Sequence, residues 1–237
     1  MAPRVGSREI AGRLRERILA GQLAVGERLP SEAELAEEFG VNRGTVREAL
    51  GMLSSRLLLT TSRGVGGGSQ VARVEHDDVA RILEESILQL SRSEGCTVPE
   101  LLQARELLEV PGARLAAQRR TDAQVDQLRA AIPVSLDHVS LSVVWELNQR
   151  FHELILDLAG NRLLPVLAEP VFHVMRTRFL RDRATMGFWR RVHVDHAAIL
   201  AAVEAGDSDR AGAEMADHLA HLRATYELID RQLREPD

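Results

Sequence analysis

Residues 29–53 read LPSEAELAEEFGVNRGTVREALGML, and they decide the fold of the first part of the chain. Ser31 followed three residues later by Glu34 is a capping-box pattern, so a helix starts there. Leu35, Ala36 and Phe39 form its apolar face. Gly40 is free to take the left-handed turn conformation that ends it. Asn42 can cap a second helix, in which Val46, Ala49, Leu50 and Leu53 recur at helical spacing. Two short amphipathic helices separated by a tight turn, with Arg43, Thr45 and Arg47 gathered at the start of the second, form a helix-turn-helix pattern.

The flanks extend it. Upstream, Ile10, Leu14 and Ile18 recur every fourth residue and predict a helix over 7–20 that stops at Gly21. GQLAVGERLP then reads as a loop. Downstream, LLLTTS and SQVARV flank a tip from Arg63 and Gly64 to Gly68, which predicts a β-hairpin. The glycine string is no dinucleotide fingerprint, because it leads into a strand and not a helix. Three helices and a hairpin make a winged helix-turn-helix over residues 1–74, with a polar linker at 75–78. The first turn of its third helix can enter a major groove. Arg43 and Arg47, four apart, share one face there. Gly44 lets the backbone approach closely, and Thr45 can reach a phosphate or a thymine methyl. Asn42 and the free N–H groups of that helix end favour a phosphate. Arg63 and Gly64 offer a small positive tip to a minor groove.

The formal net charge of −5 conceals an asymmetry. Residues 1–75 carry 11 Arg against 9 Asp and Glu; the excess of acid lies in the remainder. All the basic residues are Arg, whose planar fork suits phosphates and guanine edges. No apolar run approaches the roughly 20 residues that span a membrane. The first residues lack an apolar signal core, and the single Cys96 suits a reducing cytoplasm, which is the expected location.

From 79 to 237 every periodic segment is helical, and an all-helical bundle is expected. Helices are predicted over 79–93, 98–119, 122–131, 140–159, 161–182, 188–205 and 208–234, with Thr97/Glu100 and Thr121/Gln124 as capping boxes. Asn148 and His152 stand four apart and share a helix face. His196 and His218 lie on the last two helices. Facing helices of a bundle can bring such groups to one ion, and imidazoles with a carbonyl oxygen suit a divalent cation such as Zn, Ni or Mn. His193 and His221, each three residues from one of these, leave the choice of ligands open.

LPSEAELAEEFGVNRGTVREAL resembles the signature of the GntR family of bacterial transcription regulators. That resemblance implies DNA contacts at Arg43, Gly44, Thr45, Arg47 and Gly64. Ala33 stands where the family usually has Arg, and Leu57 where it usually has Gly. The helical part resembles the FCD branch of that family. It carries Arg105-Glu106-Leu107-Leu108-Glu109, then Asn148 to His152, then His196 to His218 with Met215 between. The resemblance implies that Asn148, His152, His196 and His218 hold a metal ion, and that Arg105 partners a small carboxylate effector. It further implies a homodimer on double-stranded, palindromic operator DNA, released when the effector binds. Two alternatives use the same residues: a regulator that senses the metal alone, and a metal-dependent enzyme. Against the enzyme, His152-Glu153 does not extend to the HExxH pattern.

Overall fold

The computed structural model describes residues 5–62, 67–93, 95–177 and 184–234; the side chains of 233 and 234 are outside that description. The chain divides into two compact units at 78/79.

In the first unit, α1 (Ser7–Leu19) buries Ile10 and Leu14 against α3 (Arg43–Ser54), with α2 (Glu32–Phe39) between them in sequence. The capping box of α2 forms as expected: the Glu34 amide donates to Ser31 Oγ at 3.3 Å, and the Ser31 amide to Glu34 Oε2 at 2.7 Å. Gly40 takes φ +64 and turns the chain into α3. Asn42 caps α3 by accepting from the Thr45 amide at 2.9 Å. Strands β1 (Leu59–Ser62) and β2 (Gly68–Val71) pair antiparallel, Leu59 opposite Val71. Leu23, Leu29, Leu35, Val46, Leu53 and Val71 are among the residues that close this core.

One expectation changes here. GQLAVGERLP is not simply a loop: Arg28 bridges Gln70, Leu29 N–H donates to Ser69 O, and the Val71 amide donates to Glu27 O. The segment meets β2 at this single bridge and satisfies backbone groups on that edge. Of the predicted tip, Arg63 and Gly64 lie outside the described residues.

The second unit is all helical among its described residues: α4 (His76–Arg92), α5 (Val98–Arg119), α6 (Asp122–Ala130), α7 (Leu141–Leu158), α8 (Leu163–Met175), α9 (Met186–Ala205) and α10 (Ser208–Arg234). The polar 75–78 segment is not a free linker, since α4 already begins at His76; Asp77 and Asp78 fall in its first turn, where carboxylates favour the helix dipole. The helix expected over 161–182 is α8, which ends at Met175 and widens to a π turn at 176–177. Residues 178–182 of that prediction are outside the description. Helix α9 starts at Met186, with Thr185 as its cap and not two residues later as expected.

Helix α5 is the centre of this unit, packed by α7, α8, α9 and α10. It crosses α7 closely at Gly112, where a Cβ would come within 2.7 Å of Leu156 Cδ2. Phe151, Ile155, Trp189, Ile199 and Met215 fill the core. This packing buries Arg105 and Glu109 of α5, His152 of α7, Asp195 and His196 of α9, and His218 of α10 in its interior, and they form the site described next.

Candidate metal centre and nucleic-acid face

Within the apolar interior of the helical unit, His152 (α7), His196 (α9) and His218 (α10) are buried. Their nearest ring nitrogens all lie within 4.8 Å of one another, and the rings pack at centroid separations of 4.9–5.2 Å. Among the described residues, these three form the group of His, Cys, Asp and Glu side chains that could hold a metal ion. His193 and His221, open alternatives from sequence, stand outside it. Asn148, one turn before His152, borders two small cavities, one against His196 and one against His152. Each has about 20 Å³, room for about one water.

The polar atoms around the triad explain its chemistry. His218 Nδ1 lies 3.3 Å from Asp195 Oδ2, so Asp195 can hold the tautomer whose Nε2 lone pair faces inward. That Nε2 and the Nε2 of His196 are buried without a hydrogen-bond partner among the described residues. Buried polar atoms are seldom left so, and an ion between them would satisfy both. His152 Nδ1 sits 2.5 Å from Glu109 Oε2, near enough for an ion pair but off the line that a hydrogen bond needs. On its other side, Nε2 is 3.4 Å from an Arg105 Nη2.

Charge is balanced inside this cluster. Arg105 and Glu109, four apart on α5 and both buried, pair through Nε–Oε1 at 2.6 Å and Nη2–Oε2 at 3.3 Å. Burial pushes the Glu109 carboxyl up, but Arg105 and His152 outweigh it and hold it at about 2. Burial also works against the Arg105 charge, yet Glu109 and Tyr226 raise its pKa above the usual value. Tyr226, the chain's single tyrosine, is pushed up to about 12 by burial and stays neutral beside Arg105. Burial lowers all three histidines, His196 well below the usual value and His218 to about 4. The triad therefore presents neutral imidazoles near pH 7, the form that ligates metal.

In the first unit Asn42, Arg43, Gly44 and Arg47 are exposed at the start of α3, and Thr45 is half-buried. Thr45 Oγ1 turns back to Asn42 Oδ1 at 3.3 Å, so these two side chains serve the cap. Gly44 has a local reason as well: a Cβ there would lie 3.0 Å from Asn42 Oδ1. Arg47 is not free. Its fork pairs with Glu32 of α2 at 3.0 and 2.7 Å. Both line an open groove of about 830 Å³ between α3 and the hairpin, together with Arg28, Thr61 and Ser69.

Sequence reasoning missed Glu109, Asp195 and Tyr226. Glu109 had a signal, standing four residues after Arg105 on one helix face. Asp195 had a local signal only for its pair with Arg191, four residues before it; its contact with His218 left none, because His218 comes from another helix.

Comparison with known proteins gives the family. Residues 7–67 match the model of bacterial regulatory proteins of the gntR family, and residues 100–221 match the FCD domain. The HTH-type transcriptional regulator LutR of Bacillus subtilis is 30% identical over 85% of this chain and 92% of its own. The HTH-type transcriptional repressor NanR of Citrobacter rodentium is 27% identical over 92% and 84%. Among solved structures, Streptococcus agalactiae GntR superposes with a TM-score of 0.55 at 25% identity, covering 92% of this chain and 99% of that one. The chain is a DNA-binding transcription regulator of the GntR family that carries an FCD effector-binding domain.

Proposed function

We propose that this regulator is a repressor that binds a palindromic operator as a homodimer and lets go when a small carboxylate binds beside a divalent metal ion. The observation that carries the reading is the buried histidine triad with unpartnered Nε2 atoms on His196 and His218. Neutral imidazoles and a carbonyl oxygen fit a Zn-, Ni- or Mn-like cation. His152, His196, His218 and Asn148 would hold it, with Asp195 orienting His218. Once bound, such an ion supplies a Lewis-acidic centre for a carboxylate oxygen. The relative named as a repressor supports the sense of regulation.

In the DNA-binding domain, Asn42, Arg43, Gly44, Thr45, Arg47 and the hairpin tip at Arg63 and Gly64 form the reading face. Two copies would double the contacts on a two-fold operator. An organic acid is larger than the cavities beside Asn148, so its binding must part α7 from α8 or α9. A ligand that favours the parted state shifts the domain between two arrangements, and only that differential affinity can change operator binding.

The small cavities favour one second reading, in which the metal alone is the signal. The deciding experiment measures metal content of the purified, tag-free chain by mass spectrometry, with His196→Ala beside it, and then operator affinity with metal alone. About one ion per chain, lost in the variant, is expected from four ligands around one centre. No ion after reloading would refute the metal centre. Operator release by metal alone would establish the second reading.

A further inference from the structure

The cation expected to receive the effector's carboxylate, Arg105, is already committed. Its guanidinium is buried, bonded through Nε and Nη2 to Glu109 and stacked 4.9 Å from the Phe172 centroid. Drawing it to a ligand would strand the Glu109 carboxylate in an apolar interior, a penalty that works against binding. A second arginine borders the same cavity. Arg176, half-buried at the C-terminal end of α8, lines it with Asn148, Gln149, His152, Trp145 and Met175. Its described partner is a neutral amide: Nη1 donates to Gln149 Oε1 at 3.1 Å. Gln149 in turn donates to Glu153 Oε1 at 2.8 Å, so the nearest acid on this path is one side chain removed.

We propose that Arg176 is the residue that captures the effector's carboxylate, and that it makes the site select acids over their uncharged analogues. The inference rests on the effector reading above. Exchanging the Gln149 carbonyl for a carboxylate replaces a neutral acceptor with a charged one, and charge-assisted bonds are roughly twice as strong. The fork of Arg176 can grip two carboxylate oxygens, which a Lys cannot reproduce. Half-burial keeps its charge effective without a large desolvation cost. The local backbone agrees, since α8 widens to a π turn at 176–177, a distortion that recurs at functional sites. Trp145, Phe172 and Met175 supply apolar walls, beside Arg105 and Tyr226. The ligand class that fits is therefore a small carboxylate with a short body that meets these apolar walls.

Both tryptophans of the chain report on this region: Trp145 borders the cavity, and Trp189 packs edge-on against it at 4.7 Å. The test titrates the zinc-loaded full chain with propionate and lactate, and with propionamide and lactamide as uncharged isosteres, and follows tryptophan emission. Native protein is expected to bind the acids and to bind the amides far more weakly. Arg176→Gln should weaken the acids by about tenfold or more, the loss of one bond to a charged group, and leave the amides unchanged. Arg176→Lys should recover part of the loss. Metal content of each variant is measured alongside, so that a lost ion is not mistaken for a lost clamp. Acid binding at native strength by Arg176→Gln with its metal retained overturns the proposal and leaves the effector reading standing. Failure of the native chain to bind either acid overturns both.

Discussion

Leu57 carries a conformation that its side chain resists. It follows α3 at φ +58, in the left-handed region, where a Cβ crowds the next carbonyl. The sequence resemblance marks this position as one where Gly is usual, and the structure supplies the reason. Leu57 is half-buried, so Gly would relieve backbone strain but lose some apolar contact and gain unfolded-state freedom. Leu57→Gly is expected to stabilise the winged domain by about 0.5–1 kcal/mol. Both Trp residues and the single Tyr lie in the helical unit. Far-UV dichroism that melts apart from tryptophan emission therefore reports the winged domain. A lower midpoint for Leu57→Gly in that transition would show that the side chain's packing outweighs the strain.

At the scale of elements, α3 and the hairpin depend on each other. The isolated bridge at Arg28 ties the loop before α2 to β2, so one groove is lined by recognition helix, wing and that loop. Arg47 stands on its wall, bonded to Glu32. The pair is exposed and adds little to stability. Its interest is that a DNA contact by Arg47, as proposed, would require it to leave or share Glu32. Arg47→Ala is expected to cost on the order of 1–3 kcal/mol of specific operator binding. It should leave folding nearly unchanged. A gel shift with unaltered operator affinity would remove Arg47 from the reading face.

At the scale of the whole molecule, the FCD domain keeps ionisable groups in an apolar core, and that sets its response to acid. The His218 pKa is depressed in the folded state to about 4, against 6.5 for the free side chain. Between those values the unfolded chain binds a proton that the folded chain refuses, so stability rises with pH. The contribution is complete above about pH 6.5 and is lost as pH falls through 4. Glu109, held at about 2, adds a loss of the same sign below about pH 4.5. The metal-free domain should therefore lose roughly 3 kcal/mol from His218 alone between pH 7 and pH 4. Urea midpoints followed by tryptophan emission check this, and a flat profile from pH 7 to 5 would contradict a buried, neutral His218. Bound metal should raise the midpoint at pH 7, because an ion that binds only the folded state adds to its stability.

What the sequence determined by itself was everything that depends on near neighbours. The caps at Ser31 and Asn42, the turn at Gly40 and the apolar stripes of Leu35 and Val46 act over one or two helical turns, so their spacing fixes local structure before any packing occurs. Spacing could not choose between His196 and His193, or between His218 and His221, because each pair lies on one helix and differs only in what the bundle turns inward. The choice came from the way α5 seats α7, α9 and α10, which brings three imidazoles together and sends His221 to Asp195 at 3.2 Å. The same packing set Tyr226 beside the Arg105–Glu109 pair of α5, leaving Arg176 at the cavity with a neutral partner. Contacts between residues far apart in the chain carry no periodic signal, and only the tertiary structure decides them.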